Sequence, residues 1–480
     1  MATGFSRLVI AGLSGDSGKT IASLSFLRAL RRRGLSVSVF KKGPDYIDPA
    51  WLSAAAETDC RNLDTYMVEP DVVRRTFVVH AEKSDIAVIE GNRGLFDGRD
   101  VSGTHSTAEL AKLTGTPVVL VVNAAKVTRT VAAVVKGCLV FDPDVTISGV
   151  ILNRVAGRRH FRVLEGSIKD FTGLPVLGAI PNLGDDSTLI PGRHLGLVTP
   201  AEYKYDTDLW DRLLEIGEDH LDIGAMIEIA RSAKPISCEV LAAVASAPAN
   251  VKIGYFRDSV FTFYYPENLE ALEARGAELV PVSSVEDNGL PEIDALYIGG
   301  GFPETHADEL AGNRSMMESV KHAAVSGLPI YAECGGLIYL ARSLRCNEKT
   351  YPMSGLFPID LGMHPKPVGH GYTEVRVDEP NPFYPVGTAI RGHEFHYSGP
   401  IGDLQEVKSC MAVETGVGVG NTRDGLVAGN TLACYTHIHA DGVKDWADSM
   451  ISSAAKHAAK HTRKAAGNSG ASGGFKSMAI

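Results

Sequence analysis

Two short stretches of this chain bring together residue types that do chemistry. In the first, Gly15-Asp16-Ser17-Gly18-Lys19-Thr20 stands between an apolar run and a helical one. Small residues at the mouth of a helix let backbone N–H groups converge on an anion, and a lysine adds positive charge, which together suit the phosphates of a nucleotide. Gly12 and Ser14 belong to the same loop, Lys19 would reach the terminal phosphates, and the Thr20 hydroxyl would hold Mg²⁺. The strict phosphate-loop pattern asks for glycine at position 13; this chain has Leu13 there, with glycines at 12 and 15, so the loop is a variant. Glu90, closing a later apolar strand, is a second metal partner or a water orienter. In the second stretch, Cys334 follows the apolar PIYAE and precedes Gly335-Gly336 and the helix-like LIYLARSL. A strand–turn–helix elbow exposes a nucleophile and aims a helix N-terminus at it, so a favoured thiolate is expected. Ala332 and Gly336, two residues to either side, are small enough for the sharp turn.

Such residues need elements to position them. RLVIAGL from Arg7 reads as a strand, and Lys19 to Arg33, ending at Gly34, as a helix. Further strands are expected at Leu35–Phe40, Asp85–Glu90, Pro117–Asn123, Thr146–Asn153 and 175–181, separated by helix-length stretches. Their Val, Ile and Leu content suits a buried, parallel, doubly wound sheet. Asp45 and Asp48 fall in a loop just after a strand, the usual ligand edge of such a sheet, where they could bind Mg²⁺ or steer a substrate. Lys41 beside them could neutralise a substrate or phosphate oxygen. After a helix at Ala225–Ala233, residues 234–250 lose periodicity and end in Ala-Pro-Ala-Asn, a linker. A second α/β unit then starts with VKIGYF, a helix at Glu267–Arg275, and strands at Ala277–Val282, Ala295–Ile298 and Pro329–Ala332. Gly299-Gly300-Gly301, following the third of its strands, could present N–H groups to an oxyanion. The expected organisation is a synthetase domain at 1–233, the linker, a second domain at 251–445, and a tail at 446–480 that is helical and then, past Lys464, Gly/Ser-rich and disordered.

Composition bounds the function classes. With 480 residues, 44% hydrophobic and 22% charged, the chain is a folded protein with room for two or three domains. A net charge of −10 provides no basic field, which argues against a nucleic-acid partner. Seven scattered cysteines with no C-x-x-C pair argue against a disulfide framework or a zinc ribbon and for a reducing compartment. No signal-like segment opens the chain and no apolar run approaches the ~18 residues that span a bilayer, so a cytoplasmic location away from membranes is expected. A competing class, dimeric ATPase switches, carries a lysine five residues before the loop lysine; here that position is Ser14.

FKKGPDYIDPAW (40–51), RNLDTYM (61–67), AVIEGNRGLFDG (87–98), LYIGGGFPE (296–304), YAECGGLIYL (331–340) and RGHEFHYSG (391–399) together resemble the cobyrinate a,c-diamide synthase family. The resemblance implies two doubly wound α/β domains. The first is a P-loop NTPase-like parallel sheet similar to dethiobiotin synthetase, and the second a class I glutamine amidotransferase-like, flavodoxin-like sheet. It implies ATP- and glutamine-dependent amidation of the a and c acetates of cobyrinate in cobalamin biosynthesis, with Mg²⁺, ATP, glutamine and a tetrapyrrole polycarboxylate as the small molecules and a homodimer as an admissible assembly. The same chemistry on a sirohydrochlorin- or sirohaem-type ring stays open. The chemistry is coherent, because a carboxylate resists ammonia until ATP converts it to an acyl phosphate. By resemblance Asp45, Tyr46, Asp48 and Glu90 belong to the ATP and substrate site; the expected metal ligands are Thr20, Asp45 and Glu90, and the expected substrate residues Lys41, Tyr46 and Asp48. His437, in CYTHIHA, matches the family's C-terminal histidine and is the expected base for Cys334. Most class I amidotransferases place an orienting glutamate two residues later, where this chain has His439; a Cys–His dyad is therefore expected, with the role of His439 open. Tyr264, Tyr265, Asn268, His393 and His396 resemble positions facing the acceptor or a domain interface.

Overall fold

The computed structural model describes residues 2–183, 189–190, 192–193, 196–200, 203, 207–237, 250–402, 404 and 407–469. The chain divides into two compact units, Met1–Ala242 and Ala243–Ile480.

In the first unit, β1 (Arg7–Gly12), β2 (Val37–Lys42), β3 (Arg61–Leu63), β4 (Ile86–Gly94), β5 (Val118–Asn123), β6 (Ile147–Val155) and β7 (Val176–Pro181) form one parallel sheet in the order β3-β2-β4-β1-β5-β6-β7. Its central strands are apolar on both faces and wholly buried, as helices on either side require. The helix Lys19–Arg32 buries Leu24, Phe26, Leu27 and Leu30. Two strands run past their expected ends. β2 continues to Lys42 and β4 to Gly94, so Lys41 and Glu90 become register partners on neighbouring strands. Parallel neighbours in register point the same way, which makes this pairing the foundation of the first site. β3, a three-residue Arg-Asn-Leu edge, had no strand-like pattern to reveal it. The stretch assigned to a linker begins inside this unit, since Ile236–Ser237 pairs antiparallel with Ala2–Thr3 and the Arg7 guanidinium bonds the Lys234 carbonyl. The rest of that stretch, 238–249, and the tail beyond 469 lie outside the described residues.

The second unit carries a nine-stranded sheet built from β8 (Val251–Phe256), β9 (Ala277–Val282), β10 (Ala295–Ile298), β11 (Ile330–Glu333), β12 (Gly369–Val377), β13 (Ala389–His396), β14 (Ser409–Thr415), β15 (Arg423–Ala428) and β16 (Thr431–Cys434), in the order β9-β8-β10-β11-β16-β15-β14-β12-β13. β9 to β16 are parallel; from β16 onward the pairing is antiparallel. Within the parallel half β8, β9, β10 and β11 follow the sequence expectation closely, and β16 was not anticipated. The antiparallel half, and a four-stranded sheet of 343–346, 349–352, 360–363 and 398–401, were not anticipated, because polar and glycine residues interrupt those runs. The helix Asp445–Ser469 is no loose tail at its start: Trp446, Met450 and Ala454 are fully buried. Among the described residues no helix is long and apolar enough to cross a membrane, and the six described cysteines are buried.

Candidate active site

The phosphate loop leaves β1 at Gly12 and turns into the helix Lys19–Arg32 through Gly18, at φ +89°. A Cβ on Gly18 would stand 1.9 Å from Asn153 Nδ2, the amide that donates to the Ser17 carbonyl at 3.1 Å, so Asn153 at the carboxyl end of β6 buttresses the loop and glycine alone lets it approach. Ser14 and Gly15 are exposed at the loop tip, with Ser14 Oγ donating to the Gly15 carbonyl at 2.8 Å. No side chain caps the helix, and the buried Ser17 hydroxyl has no partner, so donors at the positive helix end are left for an anion.

Charges converge beside this loop. Lys41 Nζ is fully buried, 2.5 Å from Asp48 Oδ2 and 2.6 Å from Glu90 Oε1, and donates to the Gly91 carbonyl at 3.3 Å. Burial alone would depress its pKa, but the Asp48 and Glu90 carboxylates, with Asp45, outweigh that and hold it above the ordinary lysine range. Lys19 moves the other way: burial and the neighbouring Lys41 charge lower it, against the pull of Glu90, Asp48 and Asp45. Burial and Asp48 push Asp45 above the usual carboxylate range, whereas at Asp48 burial is overcome by the Lys41 charge and hydrogen bond, which hold it low. Asp45 Oδ1 also accepts the Ile47 amide at 2.8 Å, and Asn62 Nδ2 ties the Gly43 and Asp45 carbonyls at 2.7 Å each. Tyr46, half-buried, is the N-cap of the helix Ile47–Ala56. Thr20 Oγ1 stands 3.4 Å from Glu90 Oε1, and Glu90 Oε2 is buried without a hydrogen-bond partner. A hydroxyl and an unsatisfied carboxylate oxygen beside a phosphate loop are the hard oxygen donors that Mg²⁺ takes, so these residues fit that ion.

In the second unit Cys334 leaves β11 at φ 48°, ψ −97°, a strained turn for a non-glycine residue, and caps the six-residue helix Gly335–Leu340. Its amide donates to the Cys434 carbonyl at 2.7 Å, and the Gly335 amide faces its sulfur. The favoured thiolate does not materialise in this state. Burial, reinforced by the Glu304 carboxylate, pushes the Cys334 thiol well above its usual range, and the short helix does not offset it.

His437 is buried, and its ring stacks on His393 with centroids 4.9 Å apart and planes at 22°. Main-chain bonds join the two in both directions, at 3.2 and 2.8 Å. The side chain that meets His437 is Glu333, with Oε2 at 3.2 Å from Nδ1. His439 is engaged elsewhere, its Nδ1 accepting the Asp441 amide at 3.2 Å and its Nε2 lying 3.6 Å from Glu267 Oε2. The glycine triplet needs a correction. The Gly299 amide already donates to the Tyr264 hydroxyl at 2.8 Å, which removes it as an oxyanion donor, and a Cβ on Gly300 would stand 2.6 Å from His437 Cε1. Gly301 N lies 3.0 Å from where a Cβ on Gly335 would sit, next to the elbow. Tyr264, Tyr265, Asn268, His393 and His396 are all buried inside this unit; Asn268 bonds Ile438 and Ala440, and His396 stacks on Tyr435 at 3.6 Å. Sequence reasoning missed Asn153 and Glu333. Each left a signal, a polar residue directly after an apolar run, in VILN and IYAE.

Two family models match the chain: a CobQ/CobB/MinD/ParA nucleotide binding domain over residues 8–191, and a CobB/CobQ-like glutamine amidotransferase domain over 252–444. The chain is 43% identical over 448 residues to the cobyrinate a,c-diamide synthase of Magnetococcus marinus, covering 92% of this chain and 95% of that one. It is 40% identical over 452 residues to that of Archaeoglobus fulgidus, covering 94% and 98%. Among solved structures, PurLQS from Thermotoga maritima aligns at 18% identity and a TM-score of 0.34, over 42% of this chain and 98% of that one, a likeness too low to add to the argument. The chain therefore belongs to the cobyrinate a,c-diamide synthase family.

Proposed function

We propose that the chain amidates the a and c acetate carboxylates of cobyrinate, using ATP and glutamine, in cobalamin biosynthesis. The observation that carries this reading is that one chain holds both a phosphate loop beside a buried lysine–carboxylate cluster and a strained cysteine whose chain neighbour, Glu333, meets a buried histidine. Residues 251–445 are the glutaminase. Cys334 adds to the side-chain amide of glutamine, its proton passing through His437 to the departing ammonia, and water then releases glutamate from the thioester. The amides of Gly335 and Gly301 are the donors for the oxyanion formed on the way. Residues 1–233 are the synthetase. The acetate oxygen attacks the terminal phosphorus of ATP, ADP leaves, and ammonia then displaces phosphate from the acyl phosphate. Lys19 and the helix amides hold the phosphates, Lys41 steadies charge at the transferring group, and Asp48, with Tyr46, positions the acceptor. Thr20 and Glu90, with Asp45 nearby, would hold Mg²⁺, which when bound neutralises phosphate charge. A cytoplasmic location and a homodimer belong to the same reading.

The test is mass spectrometry of reactions containing ATP, Mg²⁺ and glutamine, with cobyrinate and a sirohydrochlorin-derived acid offered in parallel. A cobyrinate diamide is expected. Amidation of the siro-type ring alone would move the substrate, and amidation of neither would sink the reading.

A further inference from the structure

Resting on the glutaminase reading above, we infer that Glu333, the residue just before the nucleophile, is the positioning carboxylate for His437. It takes over the duty that a residue two positions after the histidine performs in most class I amidotransferases. Strand register brings the pair together. Glu333 is opposite Cys434 in the β11–β16 ladder, and His437 follows Cys434 by three residues. The carboxylate is fully buried, with Oε2 at 3.2 Å from His437 Nδ1 and Oε1 at 3.5 Å from the Ile438 amide.

The surroundings hold both partners in place. The Tyr297 hydroxyl donates to Glu333 Oε2 at 3.4 Å and receives Asn268 Nδ2 at 3.3 Å. The same Asn268 amide donates to the Ile438 carbonyl at 3.0 Å, while its oxygen accepts the Ala440 amide at 2.7 Å, so one side chain ties the 437–440 segment to the carboxylate's own support. Position 439 cannot serve, because His439 is turned to Glu267 and packs its ring on Tyr265 at 5.0 Å. A carboxylate at Nδ1 sets the tautomer that leaves Nε2 as the proton acceptor and stabilises the imidazolium once the thiol proton arrives.

The experiment compares Glu333→Gln and Glu333→Asp with the parent chain, measuring glutamine-dependent and ammonia-dependent amidation across pH. For Glu333→Gln, glutamine-dependent kcat should fall about 10²- to 10⁴-fold with KM for glutamine within about threefold, as for other lost orienting carboxylates. Its acidic limb should move to lower pH, because the imidazolium has lost its counter-charge. Ammonia-dependent amidation should stay within about threefold, and Glu333→Asp should recover part of kcat. Near-parental kcat in Glu333→Gln would overturn the inference, as would an unmoved acidic limb or an Asp variant no better than Gln. Loss of the ammonia-dependent reaction in both variants would reassign Glu333 to a purely structural role. Cys334→Ala keeps this separate from the parent reading: if it retained glutamine-dependent turnover, the glutaminase reading itself would fall.

Discussion

The two sites of this chain are built on opposite physical plans. Beside the phosphate loop the structure gathers charged groups, Lys19, Lys41, Asp45, Asp48 and Glu90, whose fields shift the protonation of Lys19, Lys41, Asp45 and Asp48. Two atoms there, Ser17 Oγ and Glu90 Oε2, are buried without partners. Around Cys334 burial and neighbouring carboxylates raise the thiol, and the resources are a strained backbone, close glycine packing and a histidine clasped by strand register. The first plan suits a phosphate ligand, to which the Ser17 hydroxyl can donate, together with a cation that Glu90 Oε2 can ligate. The second suits a neutral amide, for which geometry and a proton acceptor matter more than field.

The largest effect that could break this contrast is on Cys334. Cys334→Ala is expected to lower glutamine-dependent amidation by about 10⁴-fold or more, as losing a nucleophile does, while ammonia-dependent turnover stays within about threefold. Equal loss of both, measured by product mass, would show that the sites do not divide the labour. Next comes Lys19→Ala, expected to remove both activities by on the order of 10³-fold, since the phosphoryl step serves either nitrogen source. Retention of ammonia-dependent activity would mean that the charge cluster works without its loop lysine.

A pH experiment sharpens the difference. With its thiol pushed up, Cys334 is protonated through neutral pH in the absence of substrate, and the thiolate fraction grows about tenfold per pH unit below its pKa. Iodoacetamide labelling of Cys334 should therefore still be climbing at pH 9, above the ordinary cysteine pKa, and a plateau near neutrality would show an activated resting thiolate. The smallest effects separate two glycines. Gly300→Ala places a methyl 2.6 Å from His437 Cε1 and should lower glutamine-dependent kcat, with a stability loss of about 1–3 kcal/mol from overpacking. Gly15→Ala meets nothing within 4 Å and should shift stability by under about 0.5 kcal/mol. Parity of the two in urea denaturation and glutaminase assays would contradict the packing described for Gly300.

Legibility followed the same divide. The phosphate loop, Lys41, Asp48 and Glu90 could be picked out because charged and glycine residues stand out against apolar strands. Cys334 was legible through its elbow. The strands Val251–Phe256, Ala277–Val282 and Ala295–Ile298 were read to the residue because they are short, mostly apolar runs, and Ala295–Ile298 is buried throughout. The antiparallel half from Gly369 onward escaped notice, because one face of such strands carries polar residues and its pairing depends on distant partners.

By itself, then, the sequence determined the residue types and the local frame: a βα phosphate loop, a cysteine at a strand end, two α/β units, and the family motifs. These depend on short-range spacing and composition, which a chain carries wherever it folds. Tertiary structure decided which side chains meet. It extended β2 and β4 so that Lys41 and Glu90 share a register, set Asn153 under the loop, diverted His439 to Glu267, and put Glu333 on His437 across a ladder linking residues about a hundred positions apart. Contacts at such separations arise from strand order and register, and no local pattern encodes them.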